Sequence, residues 1–331
     1  MAAVDLLLGA RHLPRQRRVI AAVLDTAARS LWRARNGHAV RPPPALPGPE
    51  LTDQVTAPSI ALVRDYLRHL GAGADAYRHP ATVPPHLFPQ WTFPIVARVL
   101  RDVPYPLARI LNAGCRLEVN AAVPASAPLT IRAQLMDVED DGRRALLHQR
   151  VVTGTRSNPD ALVAHLYAVA RLPSRGAADG AGSGPGGSGA SASEEGRQGA
   201  VVPPRARELA RLRLEQRSGL AFALLTGDVN PVHWAGAYAR AAGFATPILH
   251  GFAMMARAHE GLGRALFAGD AGAIRVLDVR FKRPLLLGRG REVGLYQDDA
   301  NAQTFYLADA PGVRAYLVGQ FERRAQGDGH A

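Results

Sequence analysis

The sequence of 331 residues contains a single cysteine, a single lysine and few aromatic residues. One thiol, Cys115, excludes an intrachain disulfide framework and is typical of a protein in a reducing compartment. No apolar run approaches the ~20 residues that a transmembrane helix needs. Near the start, the apolar residues Leu6 to Leu8 precede the first basic cluster, which is the reverse of the order in a secretory signal. We therefore expect a cytoplasmic protein.

The scarcity of lysine also bears on the formal net charge of +12. Lys282 is the only lysine among the 40 basic residues, and this arginine bias, with 33 Gly and 25 Pro, indicates GC-rich coding. Aromatic residues make up 6% of the chain and do not alternate with basic ones as they do on nucleic-acid stacking platforms. We predict no nucleic-acid binding. A basic surface would instead attract the phosphates of coenzyme A or an acidic carrier protein.

The most informative segment is Gly227-Asp228-Val229-Asn230-Pro231-Val232-His233. On an uninterrupted helix, residues five apart lie about 140° apart around the axis, so Asp228 and His233 converge only if the backbone bends. Asn230 and Pro231 supply that bend and predict the start of a helix, because Asn is a strong N-cap and Pro is favoured in the first turn. A histidine beside a carboxylate is held in one tautomer, as general acid–base chemistry requires.

A second element follows at His250-Gly251, where an apolar helical run begins and continues to Leu266. The first N–H groups of a helix have no partner within it and lie at the positive end of its dipole. Glycine lets a ligand oxygen approach that backbone closely. Such a donor suits the oxygen of a thioester or enolate, on which negative charge develops in the transition state.

Together these residues resemble the signature of the MaoC-like dehydratases, also called (R)-specific enoyl hydratases or hydratase 2. The resemblance implies that Asp228 and His233 activate a water for syn hydration of a trans-2-enoyl thioester, or remove it from the (3R)-hydroxyacyl form. It implies that Asn230 helps to hold this pair and that the backbone N–H of Gly251 binds the thioester carbonyl. Neither a metal nor another cofactor is expected, because the thioester itself acidifies the α-carbon.

The chain departs from the family pattern after the histidine and inside the following helix. Trp234 and Gly236 replace smaller or more polar residues, and His259 stands where many hydratases carry a serine. These departures put the acyl preference in question more than the chemistry. The candidates for contact with the acyl chain or the thioester are His250, Phe252, Met254, Met255, Trp234 and His259.

Other interpretations of the motif are open to test. Asp-x-Asn-Pro is also typical of an Asx-turn with a helix cap. A metal site at Asp228, Asn230 and His233 lacks a second histidine or carboxylate at ligand spacing. A serine hydrolase would need G-x-S-x-G, which is absent. Two functions compete with hydration: a hotdog acyl-thioesterase, and a non-catalytic subunit that binds acyl thioesters.

Composition divides the chain near its middle. Residues 176–200 are rich in Gly, Ser and Ala and predict a flexible linker between residues 51–175 and 201–325. Each half has helical segments followed by strands separated by turn residues, so the halves are interpreted as diverged copies. The predicted helices are Ile60–Leu70, Phe93–Arg101, Ser218–Leu225 and Gly251–Leu266, and the predicted strands are Arg116–Asn120, Leu129–Val138, Ala145–Thr153, Leu162–Leu172, Ile274–Lys282, Arg291–Gln297, Thr304–Asp309 and Arg314–Glu322.

Periodicity alone indicates an α+β fold with an internal repeat. The family resemblance names it a double hotdog, in which each of two diverged repeats wraps an antiparallel sheet around a central helix. Only the second half carries the acid–base motif. The first offers His86 without a carboxylate beside it in sequence, and the resemblance implies a degenerate half that makes room for the acyl chain, with His86 structural.

Residues 1–50 form a basic N-terminal extension. Residues 11–35 predict a basic amphipathic helix that packs on the protein body, the alternative being contact with an anionic membrane surface. Residues 40–50, rich in proline, predict an extended tether. The expected partners are acyl-CoA or acyl carrier protein, and a homodimer is compatible with the sequence.

Overall fold

A computed structural model describes residues 9–36, 44–72, 81–105, 110–172 and 199–325. Most of the predicted linker, residues 176–198, and the first part of the tether, residues 40–43, lie outside these ranges. The helices are α1 (Arg17–Asn36), α2 (Ile60–Leu70), α3 (Pro89–Val99), α4 (Ser218–Thr226), α5 (Gly236–Ala241) and α6 (Gly251–Leu266). The strands are β1 (Leu51–Thr56), β2 (Thr82–Val83), β3 (Ile110–Val119), β4 (Val123–Pro124), β5 (Pro128–Asp140), β6 (Arg144–Gly154), β7 (Leu162–Arg171), β8 (Arg207–Leu214), β9 (Ile274–Phe281), β10 (Arg291–Gln297), β11 (Thr304–Ala308) and β12 (Leu317–Arg323).

Ten of these strands form one antiparallel sheet in the order β1-β5-β6-β7-β3-β9-β12-β11-β10-β8. Each half contributes five strands, and from either edge inwards they run first, third, fourth, fifth, second in chain order. The two repeats meet where β3 pairs with β9, from Gly114 opposite Arg280 to Glu118 opposite Val276. This repeated topology, with a central helix in each half, confirms the predicted double hotdog.

The central helix of the second half, α6, is buried along most of its length. Every residue from Phe252 to Gly263 is buried. A helix that is buried on all sides has no solvent face to receive its polar residues. The polar residues of α6 therefore face the interior, where Glu260 pairs with His86 and Arg257 lies against His69, both from the first half.

The structure corrects several predicted boundaries. The edge strands β1 and β8 were not predicted, because half of the residues of β8 are charged and β1 contains no fully buried residue. Helix α3 begins at Pro89, four residues earlier than predicted, since proline is tolerated in a first turn. The helix predicted to start at Asn230 is a single 3₁₀ turn, Pro231–His233, and α5 begins only at Gly236.

The N-terminal extension packs on the body of the protein, as favoured from the sequence. Before α1, a 3₁₀ turn at Leu13–Gln16 places the side chains of His12 and Gln16 in the interior. His12 Nε2 lies 2.7 Å from Asp65 Oδ2, and Gln16 Nε2 donates to the carbonyl of Leu225 at 2.6 Å. No helix among the described residues is both long and apolar enough to cross a membrane. Contact with a membrane surface stays a prediction.

Asp65 and Asp53 provide a matched test of how this extension is held. Asp65 is buried and pairs with His12, whereas the partly exposed Asp53 pairs with Arg18 at 2.9 Å. Asp65→Ala leaves a buried imidazole without its partner and is expected to lower the free energy of unfolding by about 1–3 kcal/mol. Asp53→Ala should cost less than about 1 kcal/mol, because water screens an exposed ion pair. Urea unfolding of both variants measures the difference, and equal losses would contradict it.

Candidate active site

The loop that carries Asp228 starts at a left-handed glycine. Gly227 ends α4 with φ of 84° and donates its N–H to the carbonyl of Ala223 at 2.8 Å. A side chain at this position would also overlap the N-terminal extension, since a Cβ there would lie 2.8 Å from Cβ of Val19. The extension therefore contacts the residue directly before Asp228.

The 3₁₀ turn that follows fixes the histidine. Asn230 is exposed and caps the turn through Oδ1, which accepts the N–H of Val232 at 3.3 Å. His233 Nδ1 lies 2.9 Å from the carbonyl oxygen of Ile248. Because a carbonyl can only accept, Nδ1 carries the proton, and Nε2 of the neutral ring keeps its lone pair. The turn thus presents His233 as a base at Nε2.

His250 completes a compact group with Asp228 and His233. Its ring stacks on that of His233 with centroids 3.6 Å apart, and its Nε2 donates to the backbone carbonyl of Asp228 at 3.1 Å. The same nitrogen lies 3.9 Å from Oδ2 of Asp228. One polar atom from each of the three side chains lies within 4.8 Å of the others. The structure therefore brings Asp228 and His233 together and adds a second imidazole.

Burial sets the charge state of both rings. It lowers the pKa of His233 below its usual value, although the negative charge of Asp228 works in the opposite direction. Burial, reinforced by the neighbouring His233, holds the pKa of His250 well below its usual range. Both histidines are therefore neutral near pH 7. A neutral imidazole next to a carboxylate can accept a proton from water and return it.

Gly251 is the first residue of α6, with His250 as its N-cap. Its N–H lies outside the ladder of hydrogen bonds within the helix and at the positive end of the dipole. A Cβ at this position would lie 3.0 Å from the Phe281 ring. A larger residue here would require the Phe281 ring to shift slightly.

The remaining predicted residues are divided between the surface and the core. Trp234 is 42% exposed, and its indole N–H donates to the carbonyl of Val229 at 3.1 Å. Phe252, Met254 and Met255 belong to the hydrophobic core. Their contact with an acyl chain stays a prediction.

His259 lies in a different group, with His86 from the first half and with Glu260. Glu260 Oε1 is 2.9 Å from His86 Nε2 and 3.9 Å from His259 Nδ1, and the Tyr66 hydroxyl lies 3.0 Å from His86 Nδ1. All four side chains are buried. His86 thus has a neighbouring carboxylate after all, supplied by the other repeat. The sequence signal for Glu260 is that it is the only acidic residue in the largely apolar run from Gly251 to Leu266, and that it follows His259.

Burial and hydrogen bonding determine the protonation of Glu260, His86 and Tyr66 in this second group. Burial opposes the charged form of Glu260, but His259 and His86 outweigh it and lower the pKa of the carboxyl below its usual range. Burial also lowers the pKa of His86 and raises that of Tyr66 well above its usual value. A consistent arrangement has the Tyr66 hydroxyl donating to Nδ1 of a neutral His86, whose Nε2–H donates to Glu260.

Both groups contain atoms that could serve as metal ligands. In the first, however, one nitrogen of His233 and one of His250 already face carbonyl oxygens. In the second, His86 uses both ring nitrogens in hydrogen bonds. Both ring nitrogens of His259 and Nδ1 of His250 are buried without a hydrogen-bond partner among the described residues, so the expectation of no cofactor stays a prediction.

Comparison with known proteins places this site in a family. Residues 201–296, which include Asp228, His233 and Gly251, match the profile of the MaoC like domain. The second half of the chain carries a MaoC-like domain. This match confirms the predicted MaoC-like domain for residues 201–296 and, with it, the prediction of an enzyme of the hydro-lyase class.

Similar proteins support the same assignment. The enoyl-CoA hydratase ChsH3 of Mycobacterium tuberculosis is 29% identical over 253 residues, which span 71% of this chain and 82% of that protein. HtdX of M. tuberculosis has a TM-score of 0.61 at 19% identity, over 83% of this chain and 100% of HtdX. A MaoC-like dehydratase from Phytophthora capsici has a TM-score of 0.59 at 18% identity, over 85% and 97% of the two chains. The two structures share the fold of this MaoC-like chain.

The left-handed glycines that end α4 and α2 test the contact with the extension. Gly227→Ala and Gly71→Ala both force alanine into the left-handed region, which costs roughly 1–2 kcal/mol. Only at Gly227 does a Cβ meet another residue, while nothing lies within 4 Å of one at Gly71. Gly227→Ala should therefore lose about 1–3 kcal/mol more in urea unfolding, as overpacking typically does.

Combining Gly227→Ala with Val19→Ala should recover part of this excess loss, because it removes Val19 Cγ1, which would lie 2.9 Å from the added Cβ. A double-mutant cycle on the free energies of unfolding measures the recovery. Equal losses for the two glycine variants, or strict additivity with Val19→Ala, would contradict the close contact.

Proposed function

We propose that the chain catalyses the reversible syn hydration of trans-2-enoyl thioesters to (3R)-3-hydroxyacyl thioesters, carried on coenzyme A or acyl carrier protein. The observation that supports this most directly is the convergence of Asp228 with His233, whose Nδ1–H is held by the Ile248 carbonyl. This hydrogen bond directs the basic Nε2 away from the backbone. The name of the similar protein ChsH3, an enoyl-CoA hydratase, supports the substrate class.

In the proposed reaction, one water molecule donates hydrogen bonds to the Asp228 carboxylate and to Nε2 of His233. Its oxygen attacks C3 of the enoyl group while the pair takes up one proton. The electrons of the double bond move toward the thioester oxygen, where the Gly251 N–H stabilises the developing negative charge. The pair then delivers a proton to C2 from the same face, so that one H and one OH have been added. Dehydration reverses these steps.

His250 is assigned a positioning role in this scheme. Its Nε2–H holds the backbone of Asp228, and its ring covers one face of His233. Asn230 supports the turn by capping it. The acidity that the reaction needs at C2 comes from the thioester, so the scheme uses no metal or redox cofactor.

Substitution of the acid–base pair tests the proposal. Asp228→Asn and His233→Ala each remove one proton-transfer group and should lower kcat by about 10²–10⁴-fold. The measurement is the loss of enoyl absorbance with crotonyl-CoA and longer enoyl-CoA substrates. His148→Ala, in a histidine pair on β6 and β7 of the first half, is the control and should retain the wild-type rate.

The outcomes separate the competing functions. Near-wild-type turnover by both site variants would refute the proposed roles. Release of free thiol without hydration would identify a thioesterase. Tight acyl-CoA binding with no turnover at any chain length would identify a non-catalytic subunit.

The protonation of His233 provides a second test. Burial lowers its pKa, so the neutral base should persist below the usual midpoint and be lost as the pH falls through the lowered pKa. An NMR titration of ¹⁵N-labelled histidine should give a midpoint below the ordinary value of about 6.5. In Asp228→Asn the midpoint should fall further, because the carboxylate charge that raises this pKa is gone. A midpoint at or above the ordinary value, or an upward shift in the variant, would contradict the assignment.

A further inference from the structure

A cleft of about 360 Å³ lies beside the segment that leads to Gly251. It is lined by Arg283 and Leu286 from the connection between β9 and β10, by Arg291 at the start of β10, and by Thr246 and Tyr316. None of these residues takes part in the proposed proton transfers. The cleft therefore needs a different explanation.

The charges along this cleft favour an anion. Asp309 Oδ2 accepts from Nη2 of Arg283 at 3.3 Å, and Asp309 Oδ1 lies 2.7 Å from Nη2 of Arg291. The Arg283 guanidinium also stacks on the Tyr316 ring, 3.7 Å from its centroid. Two arginines share one carboxylate, so this group keeps one positive charge and is held rigidly. Each guanidinium is only partly exposed and has further N–H groups, a geometry suited to phosphate oxygens.

Backbone pairing connects the cleft to the proposed active site. Leu249 N–H donates to the Leu285 carbonyl, and Leu287 N–H donates to the Pro247 carbonyl, both at 2.8 Å. Between them, Ile248 forms a bridge with Leu286, which lines the cleft and is 39% exposed. The carbonyl of Ile248 is the group that holds His233. The cleft and the acid–base pair thus lie on the same short piece of paired backbone.

The length of a phosphopantetheine arm is similar to the greatest possible distance between the cleft and Gly251. Thr246 lines the cleft and Gly251 is five residues further along, a distance of at most about 18 Å for extended chain. A phosphopantetheine arm places ~13 bonds between the thioester sulfur and its phosphate, and at about 3.6 Å for every three bonds it spans ~16 Å. With its thioester at Gly251, an extended arm is therefore long enough to cover most of this greatest possible separation.

We propose that Arg283 and Arg291 bind the phosphate at the end of the phosphopantetheine arm. The inference rests on the proposed function, since it takes the thioester to lie at Gly251. The arm and its phosphate are common to coenzyme A and acyl carrier protein, so the site serves either carrier. Leu286 contacts the apolar part of the arm on its way to Gly251.

The test compares one enoyl group on three carriers: coenzyme A, acyl carrier protein, and pantetheine, which lacks the phosphate. Arg283→Ala and Arg291→Ala should each raise KM for the first two by about 10- to 100-fold, as expected for a lost charged hydrogen bond. Their kcat values, and KM for enoyl-pantetheine, should stay within twofold of wild type. Arg289→Ala, an exposed arginine in the same connection that does not line the cleft, is the matched control and should change none of these values.

Three results would overturn the inference. Equal weakening of enoyl-pantetheine would show a general structural effect, and weakening with coenzyme A alone would assign the cleft to its nucleotide. A wild-type enzyme with the same KM for pantetheine and coenzyme A thioesters would show that the phosphate is not bound.

Calorimetric titration with free 4′-phosphopantetheine, which carries the arm and its phosphate but no nucleotide, separates this inference from the catalytic proposal. Binding that weakens in Arg283→Ala but not in Arg289→Ala supports the phosphate site even if no enoyl thioester is turned over. In that case only the proposed hydration would fail.

Discussion

The pairing of β3 with β9 is the constraint on which the rest of the molecule depends. It joins two hotdog repeats into one ten-stranded sheet, so the central helices of both repeats lie in a common interior. Residues at the middle of α6 therefore face the first half as well as their own. The buried Glu260, which pairs with His86 across the repeats, exists because of this arrangement.

The repeats have kept one geometry and changed its chemistry. Tyr66 and Phe222 each lie five residues before a left-handed glycine that ends a helix, and each ring contacts a histidine that precedes a central helix. In the second half that histidine is His250, which supports Asp228. In the first half it is His86, which is enclosed by hydrogen bonds to Tyr66 and Glu260. The same framework thus holds the proposed acid–base pair in one repeat and a buried polar network in the other.

The sequence was sufficient for the elements that carry strong local signals. The bend at Asn230-Pro231, the start of α6 and the hairpins after Asp140 and Gln297 follow from proline, glycine and turn residues in fixed positions. The edge strand β8 was missed because half of its residues are charged, and only its pairing with β10 makes it a strand. The cross-repeat partners of His86, and the contact between Gly227 and Val19, join residues far apart in the chain. No local pattern encodes such contacts, because they depend on how the repeats and the N-terminal extension pack.

Close packing of two histidines also determines which of them can change its charge. With ring centroids 3.6 Å apart, two imidazolium ions would repel by roughly 4–5 kcal/mol at an effective dielectric constant of ~20, so both cannot be protonated near neutral pH. His250 is the more deeply buried of the two, and its Nε2–H already holds the carbonyl of Asp228. His233 keeps a free lone pair beside a carboxylate that stabilises its protonated form. The stack therefore leaves His233 as the ring that takes up a proton, while His250 remains a neutral support for the loop.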